Sequence, residues 1–343
     1  MSKPQIFNLG NVTLYNQDVS NLYKDWPTPD VIVSDGGYGV SGFKGDAKEP
    51  SELRAWYRHH IQSWSIYSRP GTTLWLWNTE IGWATVHPIL YEYGWEYVGC
   101  NIWNKGIQHI AGKCNLSTLK GFPVVTEVCV QYVRRAEFSV EGEILPLKEW
   151  LRYEWERTKL PLYKANEACG VANVATRKYF TKDHLWYAPP PEVFARLVAY
   201  ANEHGASEGR PYFSFDGVRP ATRDEYAKLF ATFEGKYGIT NVWEHPPLHR
   251  GERVKLPGST KCAHLNQKPI NLIALIIEVS SKPGNVIWEP FGGLCTAGIV
   301  AHLTGRIAFC AEVDQSIFQM AVARLKEYDT KLKQQPAESY FLG

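Results

Sequence analysis

The stretch from Val286 to Gly298 most constrains what this chain can become. Val286-Ile287-Trp288 reads as a buried strand, Glu289-Pro290-Phe291-Gly292-Gly293 as a tight turn, and Thr296 onward as a helix. A strand that turns through glycines into a helix places backbone N–H groups where a polar or anionic ligand can meet them. About 20 residues further on, a second strand ends in Ala311-Glu312-Val313-Asp314, and a carboxylate at that spacing can accept hydrogen bonds from ribose hydroxyls. The unit fits an adenosine-containing cofactor, and the lack of G-x-G-x-x-G disfavours a dinucleotide. On spacing alone, a packing turn with a surface carboxylate is an equally good reading.

The rest of the chain repeats the alternation. Residues 31–35 predict a buried strand that opens into Gly36-Gly37, residues 51–68 and 80–93 helices, and residues 72–77, 97–103 and 127–133 strands. Residues 271–280, 296–303 and 314–331 predict helices and 285–288 and 306–312 strands, with Ile317, Ala321, Leu325 and Tyr328 along one face of the last helix. Between the two halves the pattern is mostly helical over 146–202 and 223–237, with a loop over 206–220 and a Pro/Gly/Arg-rich connector over 245–257. Strands alternating with helices imply a parallel, doubly wound α/β sheet. The expected segments are 1–140, a helical insertion over 141–257, and 258–343.

With 44% hydrophobic and 21% charged residues, the 343-residue composition is that of a soluble globule rather than a disordered chain. No apolar run approaches a membrane span, and the first residues lack the pattern of a secretory signal. The seven cysteines (100, 114, 129, 169, 262, 295, 310) form no C-x-x-C pair, so reduced thiols in a cytoplasmic protein and no metal site are expected. The 13 Trp are expected mostly in the core.

A second loop bears chemistry. Ser34-Asp35-Gly36-Gly37-Tyr38-Gly39 follows a strand at the end where open α/β sheets bind ligands. An aspartate, an accessible carbonyl and a tyrosine can hold an exocyclic amine: the oxygens accept its two hydrogens and the ring stacks on the base. Alone, the same tetrapeptide is more often a glycine turn with a capping aspartate.

Taken together, the motifs resemble the β class of amino DNA methyltransferases over most of the chain. Asp35-Gly36-Gly37-Tyr38 stands where that family carries D-P-P-Y, and Glu289-Pro290-Phe291-Gly292-Gly293 where it carries D-P-F-x-G. His264-Leu265-Asn266-Gln267-Lys268-Pro269 is similar to its H-P-T-Q-K-P, Glu312 and Asp314 match its acidic pair, and Leu14-Tyr15-Asn16-Gln17-Asp18 its short strand ending in aspartate. The order, catalytic loop first and cofactor loop late, is that of the class. The resemblance implies methyl transfer from S-adenosylmethionine to the N6 amine of a flipped adenine in double-stranded DNA, with cytosine-N4 methylation and a catalytically decayed DNA-binding protein as alternatives. It implies Asp35, Gly36, Gly37 and Tyr38 as catalytic. It implies Asp18, Asp35, His264, Asn266, Lys268, Glu289, Pro290, Phe291, Gly293, Thr296, Glu312 and Asp314 as cofactor-binding. A cognate restriction endonuclease and a homodimer are partners it leaves open. Two departures stand out: Gly36-Gly37 replaces Pro-Pro, and Leu294-Cys295-Thr296 replaces Ser-Gly-Thr. Similar glycine-pair variants occur in a subgroup with a helix-turn-helix insertion.

The insertion is the expected DNA reader. Residues 163–169, a stop at Gly170, and 173–180 read as helix, turn and helix. From Lys148 to Lys182, eight Lys/Arg face four acids, an excess of four that exceeds the whole chain's +2. Arg157, Lys164, Asn173, Thr176, Arg177, Lys178 and Arg250 are the expected DNA contacts, with a solvated charged face as the bland reading.

Overall fold

The computed structural model describes residues 5–39, 47–110, 115–206, 209–248, 252–256, 258–264 and 266–334. Two compact units emerge: residues 1–134 with 232–343, and residues 135–231. The insertion therefore begins and ends earlier than the expected 141–257; its earlier end reflects the strand β9 (Val242–Glu244), just before the connector, which already pairs with the main sheet.

Among the described residues the larger unit is built on nine strands: β1 (Gln5–Leu9), β2 (Val12–Asn16), β3 (Val31–Ser34), β4 (Thr73–Asn78), β5 (Trp95–Asn104), β6 (Thr126–Arg134), β9, β10 (Val286–Glu289) and β11 (Ile307–Ala311). Their order is β1-β2-β11-β10-β3-β4-β6-β5-β9. The run from β2 to β4 is parallel, as expected. The sheet is nonetheless mixed, since β6 lies antiparallel between β4 and β5, and β1 is antiparallel to β2. The helix–strand alternation stops after β5, and the return to β6, with no α-helical crossover among its described residues, lets β6 run back beside its neighbours.

Helices cover both faces. Val31, Val33, Trp75, Trp77 and Ile287 point to one face, under α7 (Ile270–Ser280), α8 (Thr296–Leu303) and α9 (Gln315–Leu332). The intervening Ile32, Leu74, Leu76 and Trp288 point to the other, under α1 (Leu53–Tyr67) and α2 (Glu80–Glu92). This period-two division is why β3 and β4 are apolar at nearly every position. It makes the fold a doubly wound, Rossmann-like sheet. Seven of the 13 tryptophans are among the most fully buried side chains. On α9 the inward face is Phe318, Ala321, Arg324 and Leu325. No helix among the described residues is long and apolar enough to cross a membrane.

The smaller unit has its own core, built around Trp150, Trp155, Phe194, Phe213 and Tyr226. A hairpin of β7 (Glu137–Val140) and β8 (Glu143–Pro146) precedes α3 (Leu147–Arg157), α4 (Lys164–Cys169), α5 (Pro191–His204) and the short α6 (Arg223–Ala227). The expected helix over 223–237 thus stops after one turn or so. The expected second helix over 173–180 is a single π-helical turn, Ala175–Tyr179. Gly170, at φ 67° and ψ 37°, does end α4 as expected, with the Val171 N–H closing back on the Asn166 carbonyl at 2.9 Å.

Candidate active site

The site follows from two neighbouring strands. β3 and β10 are parallel and hydrogen-bonded, yet the chain leaves β3 for α1 on one face and β10 for α8 on the other. Divergence of this kind opens a crevice at the carboxyl ends of the strands, the place where such sheets bind ligands. A cavity of about 730 Å³ lies there. Asp18, Asp35, Gly36, Gly37, Tyr38, His264, Asn266, Lys268, Glu289, Pro290, Phe291, Gly293, Thr296, Glu312 and Asp314 all line it. Every residue expected for catalysis or cofactor binding is thus brought to one cavity.

Asp35 sits in a polar knot. The Lys268 ammonium is 2.7 Å from Asp35 Oδ1, and the Tyr38 hydroxyl donates to the same oxygen at 2.8 Å. Lys268 also donates to the Tyr38 hydroxyl and to the Asn266 carbonyl, each at 3.1 Å. Asp35 Oδ2 takes no bond among the described residues. Lys268 is buried, which alone would lower its pKa, but Asp35 and Glu127 more than offset this and hold it above the ordinary value. Burial, reinforced by Asp35, pushes the Tyr38 phenol far up. The Gly37 carbonyl is taken by Asn78 Nδ2 at 2.9 Å.

Gly36 is a glycine for want of space. A Cβ there would stand 2.2 Å from Phe291 Cδ2. The Phe291 ring is itself wedged against Trp56 and His60, with centroids 4.8 and 4.9 Å away.

The glycine loop after β10 is held from within. Glu289 accepts from the Ala297 and Gly298 N–H groups at the start of α8, both at 2.9 Å. The N–H groups expected to face a ligand are therefore spent on this carboxylate, and Glu289 shapes the loop as well as lining the cavity. Burial raises its pKa to about 7. Glu312 accepts from Gly293 N at 2.9 Å and Asp314 N at 2.7 Å, and burial raises it too, to about 7. Asp314 caps α9 by accepting from Ser316 and Ile317. Thr296 accepts from Arg324 Nη1 at 2.9 Å. Asp18, exposed, accepts from Ser20 N. Cys295 holds φ 56°, a left-handed conformation that suits the glycine of the resembling family better than a cysteine.

Several participants left no mark that the motifs reveal. Trp56, His59 and His60 of α1 line the cavity. Gln267, which stands inside the His264–Pro269 motif but was given no role there, bridges Val254 N and the Glu252 carbonyl, each at 3.0 Å, tying residues 252–256 to the site. Glu127, at the start of β6, is 3.7 Å from Lys268 and accepts from Lys105 at 2.9 Å. A lone acid opening the apolar run that ends at Val133 was the available signal for it.

Within the insertion, Arg157 is structural: it donates to the fully buried Glu154 at 2.6 Å and to the Arg210 carbonyl at 2.8 Å. Thr176 is bonded to Asn166, and Lys164 pairs with Glu167 at 2.7 Å. Asn173, Arg177 and Lys178 are exposed, and the latter two cations have no ion pair among the described residues. Arg250 lies outside the described residues.

Parts of this chain are similar in sequence to known proteins. The type II methyltransferase M.ScaI of Streptomyces caespitosus is 27% identical over 196 residues, which is 54% of this chain and 56% of that protein. The DNA adenine methyltransferase YhdJ of Escherichia coli (strain K12) is 35% identical over 85 residues, 25% of this chain and 27% of that protein. The matched stretches thus span about half or less of these relatives' lengths. Among solved structures, the M1.HpyAVI–SAM complex gives a TM-score of 0.48 at 14% identity, covering 92% of this chain and 98% of that one. The N6_N4_Mtase family model, described as DNA methylase, matches residues 29–323, and the chain belongs to that family.

Proposed function

We propose that this protein transfers a methyl group from S-adenosylmethionine to the exocyclic N6 amine of an adenine flipped out of duplex DNA. The carrying observation is the Asp35 carboxylate, pinned through Oδ1 by Lys268 and Tyr38, on the cavity that the glycine loop also lines.

The cavity suits the cofactor. Its volume falls within the roughly 300–1,000 Å³ of small-molecule sites. Asp18 and Glu312 offer carboxylates to hydroxyl and amine groups, and Gly293 and Thr296 line the same space. When bound, the cofactor supplies a methyl group on a sulfonium, with a neutral thioether as leaving group. The protein's part is to prepare the nitrogen. An adenine amine is a poor nucleophile because its lone pair is delocalised into the ring. Asp35 Oδ2 and the Gly36 carbonyl accept its two hydrogens, which favours a tetrahedral nitrogen with a localised lone pair. Tyr38 stacks on the base. Methylation leaves one hydrogen too many on the nitrogen, and Asp35 stands beside it to accept the proton. Positioning supplies most of the acceleration.

Adenine is favoured over cytosine by the aspartate at position 35, where cytosine-N4 enzymes of the resembling class prefer serine, and by the similarity to an adenine methyltransferase. The exposed Arg177 and Lys178 of the insertion serve as contacts to DNA.

The test is to incubate unmethylated DNA with the protein and labelled S-adenosylmethionine, digest it, and identify the nucleosides by mass spectrometry. N6-methyladenine is expected with wild type and not with Asp35→Ala. N4-methylcytosine would overturn the adenine assignment, and full activity in Asp35→Ala would overturn the site.

A further inference from the structure

A chain of alternating charge runs behind the catalytic loop: Asp35, Lys268, Glu127 and Lys105. Its links measure 2.7, 3.7 and 2.9 Å. Two features make it more than a scatter of ion pairs. Lys268 is only 3% exposed, so its charge depends on neighbouring carboxylates. Glu127 Oε2 is buried and has no hydrogen-bond partner among the described residues, and Lys268 lies just beyond hydrogen-bonding reach of it. Such an oxygen is costly to keep unless the charge it places nearby matters. A second cavity, of about 260 Å³, opens on the far side of Lys268 and is lined by both Glu127 and Lys105.

We propose that Glu127 is a positioning residue of the methyl-transfer reaction: it keeps the Lys268 ammonium between the two carboxylates, so that Lys268 pins Asp35 Oδ1 and leaves Oδ2 turned to the target amine. The inference rests on the function proposed above. Glu127 touches neither base nor cofactor in this scheme and acts through Lys268. Without it, the ammonium keeps one carboxylate rather than two. It then deprotonates more readily or swings wholly onto Asp35, and either change alters how Asp35 meets the amine. The groups that set its charge are Asp35, Tyr38, Glu127, Cys129 and His264.

The test compares wild type, Glu127→Gln and Glu127→Asp on unmethylated plasmid DNA with labelled S-adenosylmethionine. Wild-type turnover must first be seen, and its absence would count against the methyltransferase reading rather than against Glu127. With wild type active, Glu127→Gln is expected to lower kcat by about 10- to 100-fold, the usual effect of losing a partner that orients an active group, with the KM for S-adenosylmethionine within about twofold. Its rate should also fall off on the alkaline side about one pH unit or more earlier than wild type, because Lys268 has lost a neighbouring negative charge. Glu127→Asp, which keeps the charge, should recover most of kcat and the wild-type alkaline limb. A folded Glu127→Gln protein with wild-type kcat and pH profile would overturn the proposal. So would Glu127→Asp as impaired as Glu127→Gln. If Glu127→Gln does not fold, the alkaline limb of Glu127→Asp decides: unchanged supports the proposal, displaced overturns it.

Discussion

Gly36 and Phe291 compete for the same space: a Cβ on the first would lie 2.2 Å from the ring of the second. The glycine that replaces a proline of the resembling family is therefore a packing solution. The Phe291 ring cannot retreat freely, because Trp56 and His60 hold it. Gly36→Pro, which restores the first of the family's two prolines, is expected to destabilise the protein by about 1–3 kcal/mol, as overpacking does. Urea unfolding measures this, and Phe291→Leu in the same chain should recover part of the loss.

Tyr38 carries two roles that one substitution separates. Its ring lines the cavity, while its hydroxyl bridges Asp35 and Lys268 at 2.8 and 3.1 Å. Tyr38→Phe keeps the ring and removes the bridge. The expected loss in kcat is about tenfold, equivalent to one hydrogen bond to a charged group at roughly 1.5 kcal/mol. Steady-state kinetics should show the KM for S-adenosylmethionine unchanged.

Two buried carboxyls give stability a pH dependence. Glu289 and Glu312 are both raised from 4.5 to about 7 by burial. A raised carboxyl binds more protons in the folded than in the unfolded state between those values. Its contribution is therefore full below about pH 4.5 and is lost as the pH climbs to about 7. Urea midpoints measured at about pH 5 and about pH 8 should differ less in Glu289→Gln than in wild type.

The insertion's cations divide into two kinds. Arg157→Met removes a partner of the buried Glu154 and should cost about 1–3 kcal/mol in stability. Arg177→Ala and Lys178→Ala should leave stability within about 0.5 kcal/mol. They should instead weaken DNA binding and lower the salt slope by about one for each phosphate that the side chain had neutralised. Thermal melts and salt-dependent binding titrations separate the two outcomes.

The gathering of distant motifs was legible because chemistry concentrates at strand ends. Asp35, Lys268, Glu289 and Glu312 come from four separate motifs, and all line one cavity. What stayed hidden is set by pairing across the sheet. Glu127 lies one strand beyond β4, and the antiparallel return of β6 that brings it to Lys268 leaves no local sequence mark. The role of Glu289 was likewise concealed: its type suggested binding to a ligand, while its length lets it fold back onto α8. The π-helical turn at Ala175–Tyr179 shows the limit of periodicity, since one turn is too short for a repeat to reveal its winding.

The strand order carries a consequence for the chain's birth on the ribosome. β11 and β10 lie between β2 and β3, and Val286 N closes on Asp30 Oδ2 across a separation of 256 residues. At about 5–20 residues per second, tens of seconds pass between synthesis of the Asp35 loop and arrival of the strands that complete its cavity. During that interval the inner edges of β2 and β3 are open, and apolar edges of this kind invite pairing with other chains. A growing chain of this order has Asp35 early and the cavity it lines only near the end, so holdase chaperones have a window in which to act.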